Sequence, residues 1–188
     1  MVPIRPITIT GEPVLHQRAQ EVESITDDIR TLIADMYETM EAAPGVGLAA
    51  TQVGVGLRIF VFDWHDGETL HRGEAINPTV ELGPVSEDWP DEDTELEGCL
   101  SIPGERYPLK RAETAVLRAM NLEGEAYEIS ATGWLARIFQ HEFDHLNGTL
   151  YADRLLKPYA REIKRVIKGE GWGEPGHTWM PGKDFLEP

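Results

Sequence analysis

The chain has 188 residues, 41% of them hydrophobic and 27% charged, which fits one globular domain with a sizeable core. Its 33 Asp and Glu against 17 Lys and Arg give a formal charge of −16, which repels DNA and other nucleic acids over most of the surface. No apolar run approaches the ~20 residues that span a bilayer, so no membrane partner is expected, and one cysteine excludes an intrachain disulfide.

The opening Met1-Val2-Pro3-Ile4-Arg5-Pro6 has neither a secretory apolar stretch nor an Arg- and Ser-rich transit segment, so the expected location is the cytoplasm. The first strong element is a helix over about 27–41, N-capped by Thr26 and ended by Pro44-Gly45. Ile29, Leu32, Ile33, Met36 and Met40 form its apolar stripe, which we read as core. The run Leu57 to Asp63 reads as a strand, and a second strand is expected over 75–82, bulged or edged by Pro78. Residues 83–96, rich in acids and holding two prolines, read as a surface loop. Two strands over 112–122 and 126–131 meet across Glu123-Gly124.

A helix over 133–146 follows, with Thr132 as its cap and Asn147-Gly148 as its stop. It carries Trp134, Leu135, Ile138, Phe139, Phe143 and Leu146, and a helix apolar nearly all round is buried. Within it stands His141-Glu142-Phe143-Asp144-His145. Positions four apart share a helix face, so both imidazoles can bind one metal ion, with Glu142 one step round as a proton-transfer group. Such a pattern marks a hydrolytic metal site. Asp144 is read as a helix-surface residue, or as one orienting an imidazole or pairing with an arginine. A last helix is expected over 158–168, and residues 169–188 form an irregular Gly/Pro-rich tail. The whole reads as a single-domain α+β fold, with mostly antiparallel sheets packed around a buried central metal-binding helix. The catalytic domain is placed at 1–168 and the tail at 169–188.

The third ligand has candidates on both sides of the helix. Downstream stand His177, Asp153, Glu162, Glu170 and Glu174, none in a recognisable ligand motif. Upstream, Cys99 lies in Glu97-Gly98-Cys99-Leu100-Ser101, where Gly98 lets the backbone come close to an ion and a thiolate suits zinc or iron(II).

Three segments stand in order: Gly45-Val46-Gly47-Leu48-Ala49-Ala50-Thr51-Gln52, Glu97-Gly98-Cys99-Leu100-Ser101 and His141-Glu142-Phe143-Asp144-His145. This resembles peptide deformylase over about residues 3–168. The resemblance implies that Cys99, His141 and His145 hold one divalent ion, usually Fe2+ in that family, with Zn2+, Ni2+ or Co2+ able to replace it. Glu142 would move the proton, while Gln52 and the backbone N–H of Leu100 would bond the formyl oxygen. The reaction implied is removal of the formyl group from N-formylmethionyl nascent polypeptides, releasing formate.

By position, Gly45 and Gly47 would let an extended substrate pair with the backbone. Val46, Leu48, Trp134 and Ile138 would wall the methionine pocket, and Arg106 would contact the substrate main chain. Lys157, Arg161, Lys164, Arg165 and Lys168 form a basic stripe, read either as cations favoured near a helix C-terminus or as a ribosome-docking surface. Some members of the family dock through a C-terminal helix, but this chain continues into its tail instead. Two rivals stand beside the leading reading. A zinc endopeptidase would use a downstream ligand and ignore Cys99→Ala. A non-catalytic metal- or nascent-chain-binding module would be indifferent to Glu142→Ala.

Overall fold

The structure, a computed structural model, describes residues 3–184 and 186. Strand β1 (Ile7–Thr8) leads to helix α1 (Asp27–Ala42). Strands β2 (Gly47–Ala49), β3 (Ile59–Asp66), β4 (Thr69–Leu82), β5 (Leu96–Cys99), β6 (Ile102–Pro108), β7 (Thr114–Met120) and β8 (Ala126–Thr132) follow. Helices α2 (Gly133–Leu146), α3 (Tyr151–Arg154) and α4 (Lys157–Glu170) then precede a last strand, β9 (Thr178–Trp179). Every pairing between named strands is antiparallel, in a five-stranded sheet β2-β3-β4-β7-β8 and two two-stranded sheets, β5-β6 and β1-β9. The expected α+β architecture is thus present.

Strand β3 shows why α2 is central. Its side chains alternate, so Ile59 and Val61 meet Ile33, Met36 and Met40 of α1, while Phe60 and Phe62 meet Phe139 of α2. The Phe62 and Phe139 rings stand edge to face at 5.1 Å. A strand covered on both faces has no polar alternation, which is why it reads as an unbroken apolar run. Helix α2 is nevertheless not enclosed all round, because Trp134 is 40% exposed near its start.

The predicted caps fare differently. Thr26 accepts a hydrogen bond from Ile29 N at 3.4 Å, as its position indicates. Thr132 makes no side-chain cap; the start of α2 is held instead by Gly133 N donating to Glu113 O at 2.9 Å. Pro78 does break the ladder, since the β4–β7 register shifts between Ile76 and Thr79 and Asn77 takes a φ of 50°. Both ends of the Asn77 amide are anchored to the backbone of Val22, at 2.8 and 2.9 Å, which stabilises a conformation rare outside glycine.

Several elements lie outside the predicted set, among them the short strands β1, β2, β5, β6 and β9 and the one-turn helix α3, and the β3–β4 pair is longer than expected. Strands β3 and β4 form one hairpin out to Asp66 opposite Thr69, closed by Gly67 at φ 59°. The tip is exposed and mostly polar, so Asp66-Gly67 is the one signal there. Strand β6 carries two prolines and a glycine, which hide its alternation. In the tail, Thr178–Trp179 pairs with β1 and Trp179 is 1% exposed. Two residues are too short to show a period. No helix among the described residues is long and apolar enough to cross a membrane.

Candidate active site

One turn of α2 separates His141 from His145, and their Nε2 atoms approach to 3.2 Å. At the end of β5, Cys99 Sγ lies 3.3 Å from His145 Nε2, and ligand atoms of all three residues fall within 4.8 Å of one another. Bonds of about 2.0–2.3 Å to one tetrahedral ion would set such donors roughly 3.4–3.6 Å apart, so the spacing fits a shared metal. The donor set fits too: a thiolate and two imidazole nitrogens facing one another repel unless a cation or proton lies among them. Among the described residues, no downstream His or carboxylate joins this group.

The orientation of His141 comes from a residue to which sequence reading gave no role. Strand alternation puts Glu97 on the same buried side of β5 as Cys99. Its Oε1 pairs with His141 Nδ1 at 2.7 Å, which leaves Nε2 to face Cys99 and His145. Arg111 holds Glu97 at 2.6 and 3.1 Å, and Arg137 holds it at 2.9 Å. Arg111 also reaches Asp144 at 2.6 Å, and Arg154 takes both oxygens of Asp144 at 2.6 Å. Of the readings offered for Asp144, the arginine pairing is the one present. A carboxylate two residues before a ligand on a strand is the signal that could locate Glu97; Arg111 has none.

Burial acts against charge on every group here. On Glu97 burial is the largest influence and raises the carboxyl, yet Arg111 and His141 together hold it well below the usual carboxylate range. Burial would lower His141, but Cys99 and Glu97 outweigh it and raise the imidazole well above its ordinary value. Burial, then the neighbouring His141, keeps His145 well below its ordinary value. Burial, partly opposed by His141, pushes Glu142 up to about 7, where a carboxyl can both take and release a proton near neutrality.

Glu142 is 4% exposed, and its Oε2 has no hydrogen-bond partner among the described residues. A Cβ at Gly47 would lie 2.4 Å from its Oε1, so Gly47 makes room for this carboxylate. Gly98 clears the stem of Arg106, whose Cγ would lie 3.1 Å from a Cβ. Gln52, in the 3-10 turn Ala50–Val53, accepts from Ala49 N at 2.9 Å and directs its Nε2 to Ser101 Oγ at 3.3 Å and Cys99 Sγ at 3.7 Å. A neutral donor therefore stands beside the three ligand atoms. Leu100 follows Cys99 directly, and its carbonyl accepts from the indole Nε1 of Trp179 at 2.8 Å.

A cleft of about 330 Å³ opens onto Cys99, His141 and Glu142. Gly45, Val46 and Gly47 form one wall, Trp134, Arg137 and Ile138 the other, and Arg106 of β6 also lines it. Leu48 does not: alternation along β2 turns it into the core beside α1, where it is fully buried. At the mouth the Trp134 ring lies 6.1 Å from Trp64, and the Arg137 guanidinium lies 5.2 Å from the Trp134 ring. Arg137 thus spends its charge on Glu97 and its stem on the cleft.

The polypeptide deformylase family model matches residues 4–161. A peptide deformylase 2 of Corynebacterium efficiens is 51% identical over 183 residues, covering 96% of this chain and 95% of its own. A peptide deformylase of Mycolicibacterium paratuberculosis is 49% identical over 186 residues, covering 95% and 94%. Among solved structures, a peptide deformylase from Legionella pneumophila superposes with a TM-score of 0.76 at 36% identity, covering 90% of this chain and 96% of that one. One from Synechococcus elongatus, in complex with actinonin, gives 0.76 at 34%, covering 92% and 90%.

Proposed function

The chain belongs to the polypeptide deformylase family and is a hydrolase that removes N-terminal formyl groups; from that premise we propose which of its residues carry the reaction. The observation that supports the assignment most strongly is the meeting of Cys99, His141 and His145 beside the unpartnered oxygen of Glu142. Cys99, His141 and His145 hold one divalent ion, which in our reading is iron(II), with zinc, nickel or cobalt able to take its place. When bound, such an ion acidifies water and polarises a carbonyl.

The substrate is an N-formylmethionyl nascent polypeptide. Strand β2 ends the five-stranded sheet, so an extended peptide can add along Gly45-Val46-Gly47 through main-chain hydrogen bonds. Val46, Trp134 and Ile138 wall the methionine side chain, and Arg106 faces the peptide main chain. Glu142 takes the proton of the attacking water and later delivers one to the departing amine. Gln52 Nε2 and the backbone N–H of Leu100 donate to the formyl oxygen as negative charge grows on it, one such donor being worth about 3–4 kcal/mol. A glutamate at position 52 could not do this, because it has no donor.

Formate release from a formyl-Met tripeptide, under anaerobic conditions with iron(II), tests the assignment. Glu142→Ala should abolish release at unchanged metal content. Equal release by this variant would overturn the role given to Glu142, and cleavage of unformylated peptides in its place would favour an endopeptidase.

Delivery of substrate gives the basic stripe its role. Lys157, Arg161, Lys164, Arg165 and Lys168 are all exposed on α4, and we assign them to contact with ribosomal RNA where nascent chains emerge in the cytoplasm. Charge reversal of Lys157, Arg161, Lys164 and Lys168 to Glu should reduce co-sedimentation with ribosomes. Unchanged co-sedimentation would remove the stripe from the mechanism.

A further inference from the structure

The tail reaches the metal ligands from behind. Pairing of β9 with β1 sets Trp179 opposite Ile7, and Ile9 N donates to His177 O at 2.9 Å. The buried indole is thereby placed beneath the turn that follows Cys99, where Nε1 donates to the Leu100 carbonyl at 2.8 Å. The peptide unit that begins with this carbonyl ends in the N–H of Ser101, and that N–H donates to Cys99 Sγ at 3.4 Å. A peptide group whose oxygen accepts a hydrogen bond becomes a better donor through its nitrogen, so the two bonds reinforce each other.

We propose that Trp179 is a positioning residue for the thiolate: through the Leu100–Ser101 peptide it fixes and polarises the N–H given to Cys99 Sγ. The inference rests on the reading of Cys99, His141 and His145 as a metal site. Hydrogen bonds to a ligand atom orient it and draw charge from it, and their loss typically costs 10–100-fold in metal affinity. The same strand pair steadies the other side of the cleft. Thr10 N, just past β1, donates to Ser101 O at 2.8 Å, and Thr8 Oγ1 bonds the carbonyls of Thr51 and Gln52 at 3.3 and 3.1 Å. Segments carrying Cys99, Leu100 and Gln52 are therefore tied to one short strand, which the tail completes.

Cobalt(II)-loaded protein offers a readout separate from turnover, because a coordinated thiolate gives a sulfur-to-cobalt charge-transfer band. In Trp179→Phe that band should move to lower energy, since sulfur loses a polarised donor. Chelators should remove the cobalt about 10-fold faster. Formate release should show a lower kcat at nearly unchanged KM. A chain carrying benzothienylalanine at position 179 keeps the bicyclic shape and lacks only the N–H, and it should give the same band shift with a Tm loss no larger than one buried hydrogen bond explains. Wild-type band and release rate in that chain would overturn the proposal, whatever Trp179→Phe does to folding. A cobalt-loaded wild type with no thiolate band would instead overturn the metal reading on which this one stands.

Discussion

The two sides of the site are held by different physics. On the helix side, Glu97, Arg111, Asp144 and Arg137 form a buried network of full charges around His141. On the opposite side, Gln52, Leu100 and Ser101 are held by neutral hydrogen bonds to Ala49, Thr10 and Trp179. Removing one member of a charged network strands another charge in the core, whereas removing one neutral donor leaves mostly a lost interaction. Damage to the first side should therefore appear as instability, and damage to the second as slow chemistry.

Arg111→Ala is the strongest test of the first half of that contrast. Arg111 has 6% of its side chain exposed and lies between Glu97 and Asp144. Its loss should destabilise the fold by about 3–5 kcal/mol, as for other broken buried pairs. For a chain of this size that lowers Tm by roughly 6–20 °C in a thermal melt. Turnover per bound ion should change far less than stability. A wild-type melting curve would show that Arg137 and Arg154 neutralise the carboxylates without Arg111, and the network would be redundant.

Gln52→Ala should invert the ratio. With the donor gone, kcat should fall about 10²–10³-fold, while the buried Ala49 N–H left without Gln52 costs only about 1–3 kcal/mol. Steady-state kinetics beside a urea melt separates the two. A variant that loses stability but keeps kcat would make Gln52 a prop for the turn and nothing more.

These two residues also mark what was legible in the sequence. His141, Glu142 and His145 declare themselves because a helix turns a spacing of four into a shared face, so the chemistry is local. Gln52 and Leu100 have no such signature, and their roles came through resemblance to a family. Arg111 was illegible because its partners stand 14 and 33 residues away, a distance that no period encodes. Trp179 lies further still, 79 residues from the carbonyl it holds. Leu48 shares a strand face with Val46 only if both lie in one strand, but β2 begins at Gly47, so alternation from Gly47 turns Leu48 to the core.

Gly47→Ala tests the border between the two sides, where β2 touches Glu142. The new Cβ would meet Oε1 at 2.4 Å, so the carboxylate must turn aside. A displacement near 1 Å from productive geometry can cost about 10²-fold in rate, and that is the fall in kcat to look for. The structural part of the effect is isolated by adding Gly47→Ala to Glu142→Ala. With the long side chain gone, the alanine should lower Tm less than it does in the wild type. An equal drop in both backgrounds would place the conflict elsewhere than Glu142.

Arg137→Met should have the smallest effect, and it shows where the contrast weakens. Arg137 belongs to the charged side, yet Glu97 would keep Arg111 and His141, so no charge is stranded. What is lost is its bond to Glu97 at 2.9 Å, its longer ion pair with Glu95 at 3.6 Å and the donor to the Leu109 carbonyl at 2.8 Å, together about 1–2 kcal/mol or roughly 2–8 °C in Tm. The methionine stem keeps the apolar wall of the cleft but no longer places a guanidinium against Trp134. KM for formyl-Met peptides should therefore move more than kcat, as peptides of varied length would report. A loss of stability as large as that of Arg111→Ala would mean that Glu97 needs every one of its partners. The network would then act as one unit, in which no single contact can be ranked below another.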